Sequence, residues 1–397
     1  MSAPTPSPRR LPGSPRWWCA ALLPVVLASV PRASTAGDPP SPAREAERQL
    51  NDARHDAIRR GCAWIAAKQR TGGAFGDDKG IVAISALSTL ALMSGGSGVG
   101  RGPHGAEVRR GVRYLVGLGE ASKTGDPQMR GYFRETHDRD SRMHGHGYAT
   151  LALASALSSA DPELAASIRD VLRGAIECAE RSQTATGGWG YDPTSSQEHE
   201  GSVTVTIVQG LRAARDAGLR VSLETVRKGL GYLRRSQKSD GSFKYSIQQD
   251  RSTYALTAAA VSSFYLLGEY GGDEGDAQRI DDGVRFLSQS LSVAMKTRQW
   301  YSYGHFYAAW AGWQRDGSRG ETSSDREDGP GRSRSRTEPF WGPWHDHVYP
   351  ALLAQQRSDG SWADEEPESY RFGDLLTTSF SVLTLAIPDE LLPIFQR

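Results

Sequence analysis

Histidine, tyrosine, tryptophan and arginine residues occur in short groups along this 397-residue chain, beside segments rich in small apolar residues. An imidazole can transfer a proton near neutral pH, and an aromatic face can stabilise a cation or cover an apolar chain. His146 and His305, each next to a glycine, are therefore candidate catalytic residues. The candidate binding residues are His144, Tyr148, Arg251, Tyr254, Tyr301, Tyr303, Tyr307, Trp341 and Trp344.

The same residues also have a structural interpretation. Aromatic residues at helical spacing commonly pack in a core, and a single buried histidine often satisfies one hydrogen bond. The residue types alone do not decide between a site and a core.

One carboxylate is a candidate proton donor. Asp140 lies in the segment Asp138-Arg139-Asp140-Ser141, directly before an apolar stretch, so it could face a cavity at a helix start. A solvated loop carboxylate is the alternative. The segment His345-Asp346-His347 has metal-binding residue types, but residues two apart do not share a helix face. We therefore predict no metal site and no cofactor.

The elements that would position these residues follow from a repeat. Four segments begin with glutamine, carry glycine four residues later and end with an aromatic residue six residues later. This spacing predicts a helix that ends at the glutamine and a turn made by the glycine. The glutamine side chain can then bond the backbone of a neighbouring hairpin. The segments are 69–75, 183–189, 237–243 and 356–362.

An amphipathic helix precedes each turn and a small, apolar helix follows it. The same alternation of helices occurs six times, and the second and fifth pairs lack the glutamine, glycine and aromatic signature. Low polarity on most sides predicts that the second helices are buried. A closed ring needs no polar end caps, unlike an open solenoid. The predicted fold class is therefore all-α, an (α/α)6 toroid of six helical hairpins in two concentric layers. It would span residues 55–390, with a disordered insertion at 315–338 that is rich in charged residues, serine and glycine.

The N-terminal residues predict export. Residues 1–36 have basic residues, a short apolar run and a small-residue cleavage site, as a signal peptide does, and 37–54 would be a linker. Cleavage of that signal, or its retention as an anchor, stays open. Because 47 lysines and arginines nearly balance 46 aspartates and glutamates, we expect no nucleic-acid partner. Peripheral membrane contact and any oligomeric state are left open.

With the repeats placed, a resemblance can be stated. Arg181-Ser182-Gln183 through Gly187-Gly188-Trp189, with its three companions, resembles the QW-type repeat of squalene-hopene cyclases and of protein prenyltransferase β subunits. The similarity covers roughly residues 55–390. The segments 144–153, 303–307 and 392–397 resemble the short exported members of planctomycete-type bacteria, labelled prenyltransferase/squalene oxidase repeat proteins.

The resemblance implies a protein that binds or transforms a long isoprenoid, or another apolar small molecule, in a central cavity. The chain departs from the family pattern at both kinds of catalytic site. The Asp-x-Asp-Asp acid motif of the cyclases is missing, and so are the aspartate, cysteine and histidine that hold zinc in prenyltransferases. Catalysis is therefore undecided, and two alternatives remain: a non-catalytic binding or scaffold toroid, and a polysaccharide-active (α/α)6 enzyme.

Overall fold

The computed structural model describes residues 41–77, 79–195, 199–265, 275–316, 339–365 and 372–396. The chain divides into two compact units, Met1–Ala46 and Glu47–Arg397. The predicted signal peptide, 1–36, lies outside the described residues. In the first unit only residues 41–46 are described, and they include the start of the first helix.

Among the described residues, twelve α-helices alternate between outer and inner positions of the second unit, and the first of them begins at the end of the first unit. The outer helices are α1 (Pro42–Ala67), α3 (Gly105–Ala121), α5 (Pro162–Arg181), α7 (Leu223–Ser236), α9 (Asp276–Thr297) and α11 (Trp341–Gln355). The inner helices are α2 (Ile81–Ser94), α4 (Arg142–Ala156), α6 (Gly201–Asp216), α8 (Tyr254–Tyr265), α10 (Tyr301–Asp316) and α12 (Gly373–Ala386). One small hairpin of β1 (Lys244–Ser246) and β2 (Gln249–Ser252) joins α7 to α8, with Ser246 opposite Gln249.

The inner helices close into a ring. Each packs against the next one along the chain, and α12 packs against α2. The sequence explains the two layers, because nearly every residue of α2 is buried, whereas α9 buries only Gly283, Val284 and Leu287. The predicted (α/α)6 toroid of six hairpins in two layers is confirmed.

The four glutamine segments join neighbouring hairpins. In each, the glutamine Nε2 donates to the glycine carbonyl of its own turn and to a backbone carbonyl of the next outer helix, as predicted. The second acceptors are the carbonyl oxygens of Glu107 for Gln69, Thr225 for Gln183, Arg279 for Gln237 and Ala57 for Gln356, at 2.8–2.9 Å.

The glycine of each segment is required by its backbone. Gly360 has a φ of +94°, which L-residues rarely adopt, and a Cβ there would lie 2.6 Å from the Arg60 carbonyl oxygen. Gly187 has the same conformation and would collide with the Lys228 carbonyl oxygen. The turn therefore presses directly against the next outer helix, and glycine alone leaves room for that contact.

Two predicted boundaries need correction. Helix α1 begins at Pro42, so most of the predicted linker, 37–54, is helical. Proline suits a first helical position, and the following alanine, glutamate, arginine and leucine residues favour helix. The predicted insertion, 315–338, also begins too early, because Arg315 and Asp316 end α10 and Arg315 donates to Asp281 at 2.8 Å. Residues 317–338 lie outside the described residues.

Within the described ranges, every helix is either too short or too polar to cross a membrane.

Candidate functional site

The N-terminal ends of the inner helices surround a cavity of about 320 Å³. This volume lies at the lower end of the range of roughly 300–1,000 Å³ that is usual for small-molecule pockets. One wall is apolar, because α2, α8 and α12 expose aliphatic and aromatic side chains there. That wall consists of Ala83, Ile84, Leu87, Leu256, Leu376 and Phe380.

The opposite side of the cavity is polar. It combines side chains from α4 and α6, from the loop before α6, and from the hairpin before α8. These are Asp140, Ser141, His144, Tyr191, Glu200, Ser202, Tyr245 and Arg251. The cavity therefore suits a mainly apolar molecule that meets polar groups along one side.

Glu200 is the buried carboxylate of this cavity. Its side chain is 4% exposed and caps α6, because Oε2 accepts the Val203 amide at 2.9 Å. The Ser202 hydroxyl contacts both carboxyl oxygens, at 2.8 and 2.6 Å. Burial raises the pKa of Glu200 because a charged carboxylate is poorly solvated there. A carboxyl in this environment can keep its proton to a higher pH and then donate it.

His144 lies on the other side of Ser202. Its Nε2 is 2.7 Å from the Ser202 hydroxyl and 3.9 Å from Glu200 Oε2. Burial, and then the positive charge of Arg142, lower the pKa of His144 to about 4. The imidazole is therefore neutral near pH 7 and can serve as donor or acceptor toward Ser202.

Two tyrosines cross the cavity mouth. The hydroxyls of Tyr191 and Tyr245 are hydrogen-bonded to each other, although they belong to different hairpins. The guanidinium of Arg142 lies 5.3 Å from the Tyr191 ring, and that of Arg251 lies 5.9 Å from the Tyr245 ring. These cation–π contacts hold positive charge at the entrance.

Asp138 and Asp140 have different roles. Asp138 accepts the amides of Gly80 and Val82 at 3.1 and 2.9 Å, so it anchors the start of α2. Asp140 lines the cavity and is partly exposed. Of this acidic segment, Asp140 therefore faces the cavity, as proposed for the candidate donor.

Five of the predicted site residues line the cavity: Asp140, His144, Tyr148, Arg251 and Tyr303. Seven others do not line it. His146 instead joins two layers, because its Nε2 contacts the Ala175 carbonyl oxygen of α5 at 3.1 Å, and its Nδ1 accepts the Phe133 amide at 3.4 Å. It fills the structural role that the sequence left open.

His305 also points away from the cavity. Its Nδ1 accepts the indole N–H of Trp344 at 3.2 Å, and its ring packs against Tyr301 and Tyr254 at centroid distances of 4.4 and 5.5 Å. Trp341 stacks on Trp344 at 5.5 Å. Burial lowers the pKa of His305 to about 3. This group is an aromatic core between the two layers.

Tyr307 lies behind the cavity wall. Its hydroxyl donates to Gln209 Oε1 at 3.0 Å and is 3.3 Å from the hydroxyl of Tyr148. Tyr307 thus contacts Tyr148, which lines the cavity, from the side that faces away from the cavity.

Sequence reasoning missed several lining residues, of which Glu200 and Ser202 matter most. A usable signal existed, because Glu200 directly precedes the apolar stretch that becomes α6, much as Asp140 lies two residues before α4. Tyr191, Tyr245 and Phe372 were also missed, since they lie in the connections between helices, whose positions depend on the closed ring. Among the described residues, no group of three or more histidine, cysteine, aspartate or glutamate side chains could hold a metal ion.

Comparisons with known proteins identify the fold. No family model matches the chain, and no curated protein matches its sequence. A variant of the type II terpene cyclase MstE from Scytonema, in complex with its product merosterolic acid A, matches with a TM-score of 0.52 and 15% identity. The match covers 87% of this chain and 99% of the cyclase.

A carbohydrate-active enzyme matches equally broadly. An inactive variant of an α-1,6-mannanase of Salegentibacter sp. HEL1_6, in complex with α-1,6-mannotriose, has a TM-score of 0.59 and 10% identity. The match covers 85% of this chain and 99% of the mannanase. The chain therefore has the α/α toroid fold that the cyclase and the mannanase share, and the activity must be argued from its own cavity.

Proposed function

We propose that this protein binds an isoprenoid or similar apolar molecule in the cavity of the toroid and that Glu200 protonates it. The observation that carries the proposal is the position of Glu200: a buried carboxyl on the polar side of a cavity whose other wall is apolar. A carboxyl that protonates an alkene must first be present in its neutral form, and burial disfavours the ionised form.

The aromatic residues support the same chemistry. Tyr148 and Tyr303 line the cavity near Phe380, with ring centroids 6.4 and 6.0 Å from that of Phe380. Protonation of an alkene leaves a positive charge on carbon, and aromatic faces stabilise positive charge. In this proposal Glu200 provides the proton, and the aromatic residues stabilise the cation that forms.

Asp140 is the other carboxylate of the cavity, and it serves as the matched comparison. It lies at the partly exposed rim, whereas Glu200 is buried. We therefore assign the acid to Glu200 and expect Asp140 to affect binding more than proton transfer.

The test is an incubation of the purified protein in D2O with acyclic isoprenoids of different length, from farnesol to squalene. The expected product is a cyclised compound with one deuterium bonded to carbon, detected by mass spectrometry. Glu200→Gln should lose at least 100-fold in turnover and still bind the isoprenoid, while Asp140→Asn should keep turnover within tenfold. Binding without turnover by the unaltered protein would support the scaffold alternative. The absence of both binding and turnover would refute the proposal.

A second candidate function is action on polysaccharides. The observation that favours it is the composition of the cavity mouth. Its residues include Tyr191, Tyr245, Arg251 and Asp140, and side chains of these types stack on sugars and form hydrogen bonds with them. Release of shorter sugars from α-1,6-mannotetraose by the unaltered protein, and not by Asp140→Asn, would establish it. The largely apolar far wall makes this the less favoured proposal.

Export is also proposed, from residues 1–36. Fusion of residues 1–50 to alkaline phosphatase, which is active after export from the bacterial cytoplasm, tests it directly. Replacing the apolar residues Leu22 and Leu23 by arginine should abolish phosphatase activity, because the apolar run is what directs export.

A further inference from the structure

Three groups of the cavity form one hydrogen-bonded chain. The Ser202 hydroxyl lies 2.6 Å from Glu200 Oε2 on one side and 2.7 Å from His144 Nε2 on the other. Both distances are short for such bonds. A serine hydroxyl has only one proton, so it can donate to one of these neighbours at a time.

We infer that Ser202 couples the protonation state of Glu200 to the tautomer of His144, and that the three groups act as a relay that returns a proton to Glu200. Ser202 and His144 are thus positioning residues, which act through the acid. The relay role rests on the proposed function, whereas the coupling exists without any ligand.

The coupling follows from the direction of the hydrogen bonds. An ionised Glu200 accepts the Ser202 proton, so Ser202 must accept from His144, which then carries its proton on Nε2. A protonated Glu200 donates to Ser202, so Ser202 donates to His144, whose proton must then be on Nδ1. Each state of the carboxyl therefore selects one tautomer of the neutral ring.

The surroundings of His144 leave it free to change tautomer. Its ring packs against Tyr191 at a centroid distance of 5.7 Å, and none of its hydrogen bonds within the described part of the chain involves Nδ1. The side chain is 23% exposed, against 4% for Glu200, so water reaches His144 more readily. Arg142 on α4 acts on its charge, and the other ionisable residues that line the cavity with it and Glu200 are Asp140, Tyr148, Tyr191, Tyr245, Arg251 and Tyr303.

Once Glu200 has given its proton to a bound molecule, the Ser202 hydroxyl turns to the carboxylate, and exchange with water moves the His144 proton from Nδ1 to Nε2. A hydronium ion then protonates Nδ1 and becomes water, the Nε2 proton moves to the Ser202 oxygen, and the Ser202 proton moves to Glu200. One proton has entered at Nδ1 and one has reached the carboxyl, and no other bond has changed.

The test is 15N NMR of the full-length protein labelled in its histidine rings, because Nδ1 and Nε2 have distinct shifts in the two tautomers. The His144 signals are assigned by their loss in His144→Phe. In the unaltered protein we expect His144 to change from the Nδ1–H to the Nε2–H tautomer as the pH rises. The change should have the same midpoint as the ionisation of Glu200, followed by the 13C signal of its carboxyl.

Variants separate coupling from mere packing. Ser202→Ala should abolish the tautomer change, Ser202→Thr should retain it, and Glu200→Gln should make the His144 tautomer independent of pH. His146 is an internal reference, because its Nε2 faces the Ala175 carbonyl oxygen and its Nδ1 accepts the Phe133 amide, which fixes the Nε2–H tautomer.

A His144 tautomer that stays constant while Glu200 titrates would overturn the inference, and so would a tautomer change that persists in Ser202→Ala. Ser202→Thr and Glu200→Gln decide the matter if Ser202→Ala does not fold. Since these spectra need no ligand, a failed coupling is distinguishable from a failed proposed function, which would show as absent isoprenoid binding with the coupling intact.

Discussion

Gln356 donates its side-chain N–H to the carbonyl oxygen of Ala57 at 2.9 Å, across 299 positions of the sequence. The same amide also donates to the Gly360 carbonyl oxygen at 2.9 Å. Gln69, Gln183 and Gln237 make the equivalent bonds between consecutive hairpins. The last hairpin is therefore joined to the first by the same contact that joins three other pairs of neighbouring hairpins.

The first prediction concerns this closure. Gln356→Ala leaves two backbone carbonyls without their donor, and we expect a loss of about 1–2 kcal/mol in the free energy of unfolding. Gln69→Ala, which removes the same bonds within the ring, should cost about the same. Urea unfolding of both variants measures this. A cost near zero for Gln356→Ala alone would mean that the ring is open in solution.

The second prediction concerns the turn glycines. Gly360→Ala places a Cβ 2.6 Å from the Arg60 carbonyl oxygen at a positive φ, so we expect a loss of about 2 kcal/mol or more. Gly72→Ala is the control, because a Cβ there meets no atom within 4 Å. Thermal unfolding of the two variants should separate them by several degrees. Equal stability would show that the turn can move away from α1.

The repeat made the fold predictable from sequence, and its physical meaning explains why. In each segment the glutamine bonds the next outer helix and the glycine makes the turn, at a fixed spacing. The four copies therefore mark four of the six places where hairpins join. The second and fifth hairpins lack the signature, yet their inner helices α4 and α10 were recognisable because few of their residues are polar.

The low polarity that makes the inner helices recognisable also makes the site harder to predict. Helix α10 is buried on nearly all sides, so no polar face shows which residues point to the cavity. Tyr303 faces the cavity, whereas His305, two residues later, faces the outer layer. Glu200 was missed because its importance depends on burial, which arises only when the helix ends and loops that line the cavity come together.

The third prediction concerns the pH dependence that Glu200 imposes on stability. Its pKa in the folded protein is raised above the ordinary value of about 4.3. Above that value the unfolded chain loses this proton while the folded protein keeps it, so the stabilising contribution declines as the pH rises through the raised pKa. Glu200→Gln should therefore lose less stability as the pH rises above about 4.3, by up to about 1.4 kcal/mol per pH unit.

Unfolding free energies at several pH values measure this effect. Glu177→Gln, a change at an exposed position of α5, is the control and should follow the unaltered protein. Parallel curves for Glu200→Gln and the unaltered protein would contradict the raised pKa.

The fourth prediction concerns acid sensitivity through His305. Burial lowers its pKa to about 3, so the folded protein keeps the ring neutral while the unfolded chain binds a proton below pH about 6.5. The stability that depends on the neutral ring is present above that pH and is lost as the pH falls. His305→Asn should remove this dependence, which amounts to about 2 kcal/mol between pH 6.5 and pH 5. Exposed His137→Asn should leave the slope unchanged, and an unchanged slope in His305→Asn would show that the ring is not buried.

The last prediction concerns a second contact across the closure, between Arg54 and Asp389. The Arg54 guanidinium donates to both oxygens of Asp389, at 2.6 and 3.0 Å, and to the Leu385 carbonyl oxygen at 2.7 Å. Arg54 is 5% exposed, so Arg54→Met leaves these acceptors short of donors in a largely buried place, and we expect a loss of about 3 kcal/mol in the free energy of unfolding.

Arg59→Met, which breaks only the exposed pair with Asp56 on the same helix, should cost less than about 1 kcal/mol. The difference arises because removing Arg54 leaves polar atoms unsatisfied between the first and last helices, whereas water replaces Arg59. Similar costs for the two variants in urea unfolding would mean that the end of the chain does not dock on α1 through this pair.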